Sequence, residues 1–148
     1  MAKTKPRRYA LLVGVSNYDP IKSGFSPLRF TVRDMIVLRE LLIDNGYEKE
    51  DITLCISPSL DEAKSLEKAL GEINKPKRVA SADADSIKFE FNKLLAKKFG
   101  PNDTILVALS GHGIQVETKP PTSIFVPETD TKLETLLNLD KGKKPSTS

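Results

Sequence analysis

The chain holds one cysteine, one histidine and no tryptophan in 148 residues. With Cys55 alone, no internal disulfide can form, which fits a reducing compartment and makes a cytoplasmic location the expectation. A zinc site needs three or four His, Cys or carboxylate ligands at suitable spacing, and one histidine with one mid-strand cysteine cannot supply them. No metal and no other cofactor is therefore expected. No apolar run reaches the roughly 18 residues of a membrane span. The basic start MAKTKPRRYALLVGVSNYD resembles a secretory leader only briefly, because Gly14, Ser16, Asn17 and Asp19 close the apolar run as a loop. No membrane partner is expected. The sequences G-x-S-x-G, G-x-G-x-x-G and G-x-x-x-x-G-K-[ST] do not occur, so a serine-hydrolase elbow and the common nucleotide-binding loops are argued down. A net charge of +3, with short basic clusters at the two ends, is too weak a bias to argue for nucleic acid. There are no internal repeats.

What is present is alternation. Tyr9 to Val15 is a buried strand, Ser16 to Pro27 a loop, and Phe30 to Asn45 a helix with Val32, Met35, Ile36, Leu38, Leu41 and Leu42 at helical spacing. Gly46 supplies the stop for that helix. Ile52 to Ile56 is a second buried strand and Leu60 to Ile73 a second helix. Asn74 to Ala82 reads as an exposed connector. Asp83 to Phe99 is a further helix, ended by Gly100-Pro101. Ile105 to Leu109 is a third buried strand. Beyond Gly113 the pattern weakens to a short β segment, Ile124-Phe-Val126, and a helix start over Leu133 to Leu139. Strands alternating with helices predict an α/β fold whose mostly parallel sheet carries helices on both faces. The predicted organisation is a basic flexible tail over 1–8, one domain over 9–140, and a polar flexible tail over 141–148.

The third strand runs into Ser110-Gly111-His112-Gly113, so the only histidine stands at the carboxyl end of a strand between two glycines. Reacting groups gather at that end of α/β sheets, and histidine is the commonest general base. Gly113 could present a backbone N–H to a developing oxyanion. The competing reading is a glycine-rich turn whose histidine caps the sheet edge. Cys55 lies inside Ile52-Thr-Leu-Cys-Ile56 and reads as a small buried hydrophobe, not a nucleophile.

Three blocks resemble the caspase-like cysteine peptidases, especially bacterial caspase homologues and metacaspases. YALLVGVSNYD is similar to the family's first strand and loop, LRFTVRDMIVLRELLIDNGY to its first helix, and NDTILVALSGHGIQ to its third strand. SIFVPETD resembles the segment that follows the family's dyad histidine. The resemblance implies a caspase-like α/β fold, here cut short after the third main strand, and hydrolysis of peptide bonds in a polypeptide substrate. It implies that His112 is the dyad histidine that activates a cysteine and that Gly113 is the oxyanion donor. It further implies that Asp34 faces an Arg or Lys before the cut, as charge-assisted recognition allows. A solvated carboxylate near a helix start explains Asp34 as well. Arg33 stands where the family has Asn, and Thr31-Val32 replace its small residues, so this pocket departs from the pattern.

The nucleophile is the largest departure. In caspases it lies ~50 residues past the histidine, whereas this chain ends at Ser148 with no cysteine after His112. Glu117, Glu128, Asp130 and Asp140 are too scattered to predict the calcium site of some metacaspases. The chain is thus expected to be inactive alone. Three functions stay open: a peptidase domain contributing the dyad histidine, with a caspase-like chain supplying the missing half; a non-catalytic caspase-like module that binds or regulates; and an unrelated α/β binding domain.

Overall fold

The computed structural model describes residues 5–74 and 79–129. The expected helix start over 133–139, the tail over 141–148, Asp130 and Asp140 lie outside the described residues. Among the described residues four parallel strands form one sheet in the order β3-β2-β1-β4. They are β1 (Arg8–Val15), β2 (Ile52–Ser57), β3 (Val79–Ala80) and β4 (Thr104–Ser110). An antiparallel hairpin of β5 (Gly113–Val116) and β6 (Thr122–Phe125) forms a second, separate pair. The helices are α1 (Thr31–Asp44), α2 (Leu60–Ser65), α3 (Glu67–Ile73) and α4 (Ala84–Leu95).

β1 is central, and its side chains alternate between two cores, as the two-residue period of a strand requires. Tyr9, Leu11, Val13 and Val15 join Cys55, Ala82, Leu94 and Val126 on one face, with Ile87 of α4 against them. Ala10 and Leu12 join Val32, Met35, Ile36, Leu42, Ile52, Leu54 and Ile56 on the other, under α1 and with Leu70 and Ile73 of α3. A strand buried on both faces reads as a continuous apolar run, and RYALLVGV does so. Gly14 is required where β1 crosses the start of α1, because a Cβ there would stand 2.9 Å from the Thr31 carbonyl oxygen and 3.2 Å from Val32 Cα.

α1 ends in a Schellman arrangement at Gly46, whose φ is 93°. The Gly46 N–H reaches the Ile43 carbonyl at 3.1 Å and the Tyr47 N–H reaches the Leu42 carbonyl at 3.0 Å. At its other end Phe30 offers no capping side chain. Glu62 of α2 serves instead, accepting from the Arg33 N–H at 3.4 Å. α2 and α4 carry their own caps, Ser59 and Asp83.

The structure corrects four expectations of detail. The helix predicted over 60–73 is two short helices joined at Leu66. The connector over 74–82 contributes β3, and Ala82 is buried. Arg8 opens β1 and is no tail residue; Arg7 is anchored too, its N–H on Asp103 at 2.8 Å and its guanidinium on the buried Asp51 at 2.5 Å. β4 is not a buried strand. It forms an edge of the described sheet, and Ile105, Val107 and Leu109 are 41%, 44% and 51% exposed. Those three residues pair with Tyr9, Leu11 and Val13 on the face that α4 covers chiefly over β1 and β2. An apolar run predicts burial but carries no information about which strand a helix lies over.

Candidate functional site

β4 delivers His112 to the carboxyl end of the sheet, and the loop after β1 receives it. The His112 ring lies edge-on to Tyr18 with centroids 4.7 Å apart and tilted over Phe25 at 5.2 Å. Its Nε2 is 2.8 Å from the backbone carbonyl oxygen of Ser26. A carbonyl oxygen only accepts, so the hydrogen-bond network assigns the proton of the neutral ring to Nε2. Nδ1 then carries the free lone pair. A base whose second nitrogen is held by a fixed acceptor has a defined tautomer and orientation, which is the arrangement nucleophilic catalysis requires.

Backbone hydrogen bonds at this corner are equally specific. The Val126 N–H donates to the His112 carbonyl at 2.9 Å, in the same register that pairs Gly113 with Phe125 and Ile114 with Ile124. His112 and Val126 thus form a hydrogen-bonded pair at the base of the hairpin. Such pairs alternate with non-hydrogen-bonded ones. Gly113–Phe125 is the non-bonded kind, and the Gly113 N–H points away from β6. An N–H that is free of the ladder beside an imidazole can donate to an anion.

Tyr18 closes the corner. It is 2% exposed, and its hydroxyl accepts from the His112 N–H at 3.1 Å while donating to the Val126 carbonyl at 2.7 Å. Burial pushes the phenol up from its usual range, with the His112 amide opposing. Gly111 is obligatory here for space: a Cβ would lie 2.7 Å from the Tyr18 hydroxyl oxygen and 2.9 Å from Phe125 Cε2.

The segment after the hairpin is fastened by Glu128. Its carboxylate accepts from Asn17 Nδ2 at 2.8 Å and from the Ser57 hydroxyl, and its N–H donates to the Ala82 carbonyl at 2.9 Å. The ends of β1 and β2 are thereby tied to the strand that holds His112 in place.

Of the expected site residues, His112 and Gly113 are chain neighbours at this corner, and Asp34 is not among the residues that line the cleft beside it. Asp34 is exposed in the first turn of α1. That helix packs on the Ala10/Leu12 face, whereas the rings that hold His112 belong to the opposite core. An open cleft of about 1110 Å³ does adjoin His112, sharing Tyr18 and Ser26 with its surroundings. Its carboxylates are Asp19, Asp61 and Glu62, with Arg29 as counter-charge. Glu62 is 4% exposed, and its Oε2 has no hydrogen-bond partner among the described residues.

Cys55 is fully buried in mid-strand. Burial pushes its thiol up to about 12, and the negative charges of Glu90 and Asp83 add to this. A thiol at that pKa is protonated at neutral pH and is no nucleophile. Among the described residues no group of three or more His, Cys, Asp or Glu side chains could hold a metal ion. No described helix is long and apolar enough to cross a membrane.

Sequence reasoning missed Ser26, Tyr18, Phe25 and Glu128. Ser26 acts through its backbone, which leaves no signature in a side-chain pattern. Tyr18 stood in the sequence as an aromatic residue inside a polar loop, and that was the one available signal.

Comparison with curated proteins and with solved structures gives no match. A family model for the caspase domain matches residues 7–144. That span runs from the residue before β1 past the end of the described hairpin, and it includes the whole corner built around His112. The chain belongs to the caspase-domain family.

Proposed function

We propose that this chain contributes the histidine half of a caspase-like cysteine endopeptidase. The observation that carries the proposal is the Ser26 carbonyl on His112 Nε2 at 2.8 Å, which leaves Nδ1 as the base. The family brings polypeptide substrates and peptidase chemistry. The cysteine must come from outside these 148 residues, because Cys55 is buried and protonated and no cysteine follows His112.

In the proposed cycle Nδ1 takes the proton of the incoming cysteine thiol, and the thiolate attacks the scissile carbonyl carbon. The carbonyl π bond opens to an oxyanion, which accepts from the Gly113 N–H. The imidazolium then protonates the leaving amine as the C–N bond breaks. Water, deprotonated by His112, releases the acyl group and restores the thiol. Cleavage after Arg or Lys is supported by the three carboxylates of the adjoining cleft, Asp19, Asp61 and Glu62. Asp34 retains a part only as an acidic side chain at the exposed start of α1. A cytoplasmic site of action fits the single reduced cysteine.

A second reading is favoured by one observation. The β4 edge and its bare apolar row of Ile105, Val107 and Leu109 suit a chain that adds a strand there without chemistry. Under that reading the chain is a caspase-like binding or regulatory module.

Purified chain should not cleave Arg- or Lys-ended reporter peptides. Tagged chain recovered from its source cells should cleave them, and His112→Ala should abolish this. Cleavage by the purified chain alone would contradict the need for an outside cysteine. Partner recovery without any peptidase activity would support the second reading.

A further inference from the structure

We infer that Tyr18 is a positioning residue for His112, acting by inserting its hydroxyl into the backbone ladder at the base of the β5–β6 hairpin. This deepens the proposed function and rests on His112 being the base.

In an antiparallel hydrogen-bonded pair, both residues exchange N–H and C=O directly. His112 and Val126 exchange only one such bond, from the Val126 N–H to the His112 carbonyl. The return bond is replaced by a relay: the His112 N–H donates to Tyr18 Oη, and Tyr18 Oη–H donates to the Val126 carbonyl. A hydroxyl can fill this gap because it is donor and acceptor at once. Phenylalanine can pack there but cannot relay. The insertion holds the two strands apart on one side at this residue and so sets the angle at which the His112 Cα–Cβ bond leaves the ladder. The same phenol ring forms the wall against which the imidazole stands. The imidazole can then reach Ser26, whose carbonyl fixes the tautomer.

The sequence around the gap is consistent with this single purpose. Gly111 has no side chain, and any Cβ would meet Oη at 2.7 Å. Tyr18 is anchored against Phe25 with centroids 5.8 Å apart. A phenol serving only as core filler would need one hydrogen-bond partner for its buried hydroxyl. This one has two, both on the pair that carries the base.

Because His112 is the only histidine, its imidazole ¹⁵N resonances are unambiguous in the full chain. At alkaline pH, where a histidine is neutral, wild type should show one tautomer with the proton on Nε2. Tyr18→Phe should collapse this to averaged shifts of two tautomers and raise exchange of the His112 amide at least tenfold. Gly111→Ala, which leaves Tyr18 in the chain but crowds its hydroxyl out, should give the same signature. Ile36→Val, in the opposite core, should lower stability without altering the tautomer. Should Tyr18→Phe fail to fold, wild type still decides: a slowly exchanging Tyr18 hydroxyl proton with a cross-peak to the His112 amide is expected, and its absence overturns the inference. An unchanged tautomer and amide in Tyr18→Phe also overturns it. None of these spectra depends on activity, so a positive result with an inactive complex removes the proposed function and leaves the positioning role standing.

Discussion

The Ser26 carbonyl stands 2.8 Å from Nε2 of His112, and this contact assigns the proton of the neutral ring to Nε2 and leaves Nδ1 with its lone pair. Residues far apart in sequence are brought together by β1 and β4, which lie side by side and in parallel. The loop that leaves β1 and the glycine-flanked histidine that leaves β4 therefore emerge at the same end of the sheet.

Removing the imidazole should separate chemistry from folding. His112 is only half-buried and makes one side-chain hydrogen bond, at 2.8 Å. His112→Ala, which loses that bond and the packing on Tyr18 and Phe25, should cost about 1–3 kcal/mol of stability. Peptidase activity of the assembled protein should fall about 10²–10⁴-fold, the usual contribution of a positioned base. Denaturant unfolding and reporter cleavage on the same preparation test both halves.

Cys55 gives a pH prediction with a defined sign. In the unfolded chain its thiol ionises near 9.0, whereas in the folded chain burial holds it protonated to about 12. The stability this contributes is complete below pH 9 and is lost as pH rises from about 9 toward about 12, at up to ~1.4 kcal/mol per pH unit. Cys55→Ala should be less stable than wild type at pH 7 by about 1 kcal/mol, and the gap should narrow and reverse on the alkaline side. Urea midpoints at several pH values read this directly. A gap independent of pH would show that the thiol ionises alike in both states.

Glu128→Ala should loosen the corner without touching the histidine. It removes the acceptor of Asn17 and of Ser57. Ser57 is buried and also accepts from the Ala82 N–H at 3.1 Å. Leaving these donors unpaired should cost about 1–3 kcal/mol. Thermal unfolding measures the loss, and hydrogen exchange should place it in the β5–β6 hairpin and around Ala82.

The β4 row discriminates the two functional readings. Val107 is 44% exposed, so Val107→Lys should change the stability of the isolated chain by only about 0.5 kcal/mol. A partner that adds to this edge should be lost from pull-downs of that variant. Undiminished recovery of the partner would show that it binds elsewhere.

The sheet, its helices and the position of His112 were legible because buried parallel strands and amphipathic helices write strong periods into sequence. Tyr9 to Val15 read as a buried strand because YALLVGV is apolar almost throughout, and its central place came from the fold. β3 was not legible, since two residues, Val79 and Ala80, carry no period. The exposure of β4 was not legible because hydrophobicity does not encode strand order. Within the site, His112 and Gly113 announced themselves through Ser-Gly-His-Gly. The Ser26 carbonyl could not, and Tyr18 could not be told from any aromatic in a loop, because its role lies in a gap between two backbone groups that only the fold brings together. Asp34 was placed by resemblance alone. The cleft beside His112 draws its carboxylates instead from the β1–α1 loop and from α2, at Asp19, Asp61 and Glu62.

The most direct test is covalent. Tagged chain in its source cells should be treated with an arginyl acyloxymethyl ketone, which alkylates an activated cysteine, and the labelled peptide identified by mass spectrometry. The account predicts a label on a cysteine other than Cys55, in the species that contains this chain, and its loss in His112→Ala. A label on Cys55, or labelling indifferent to His112, would contradict the claim that His112 is the base of a cysteine peptidase.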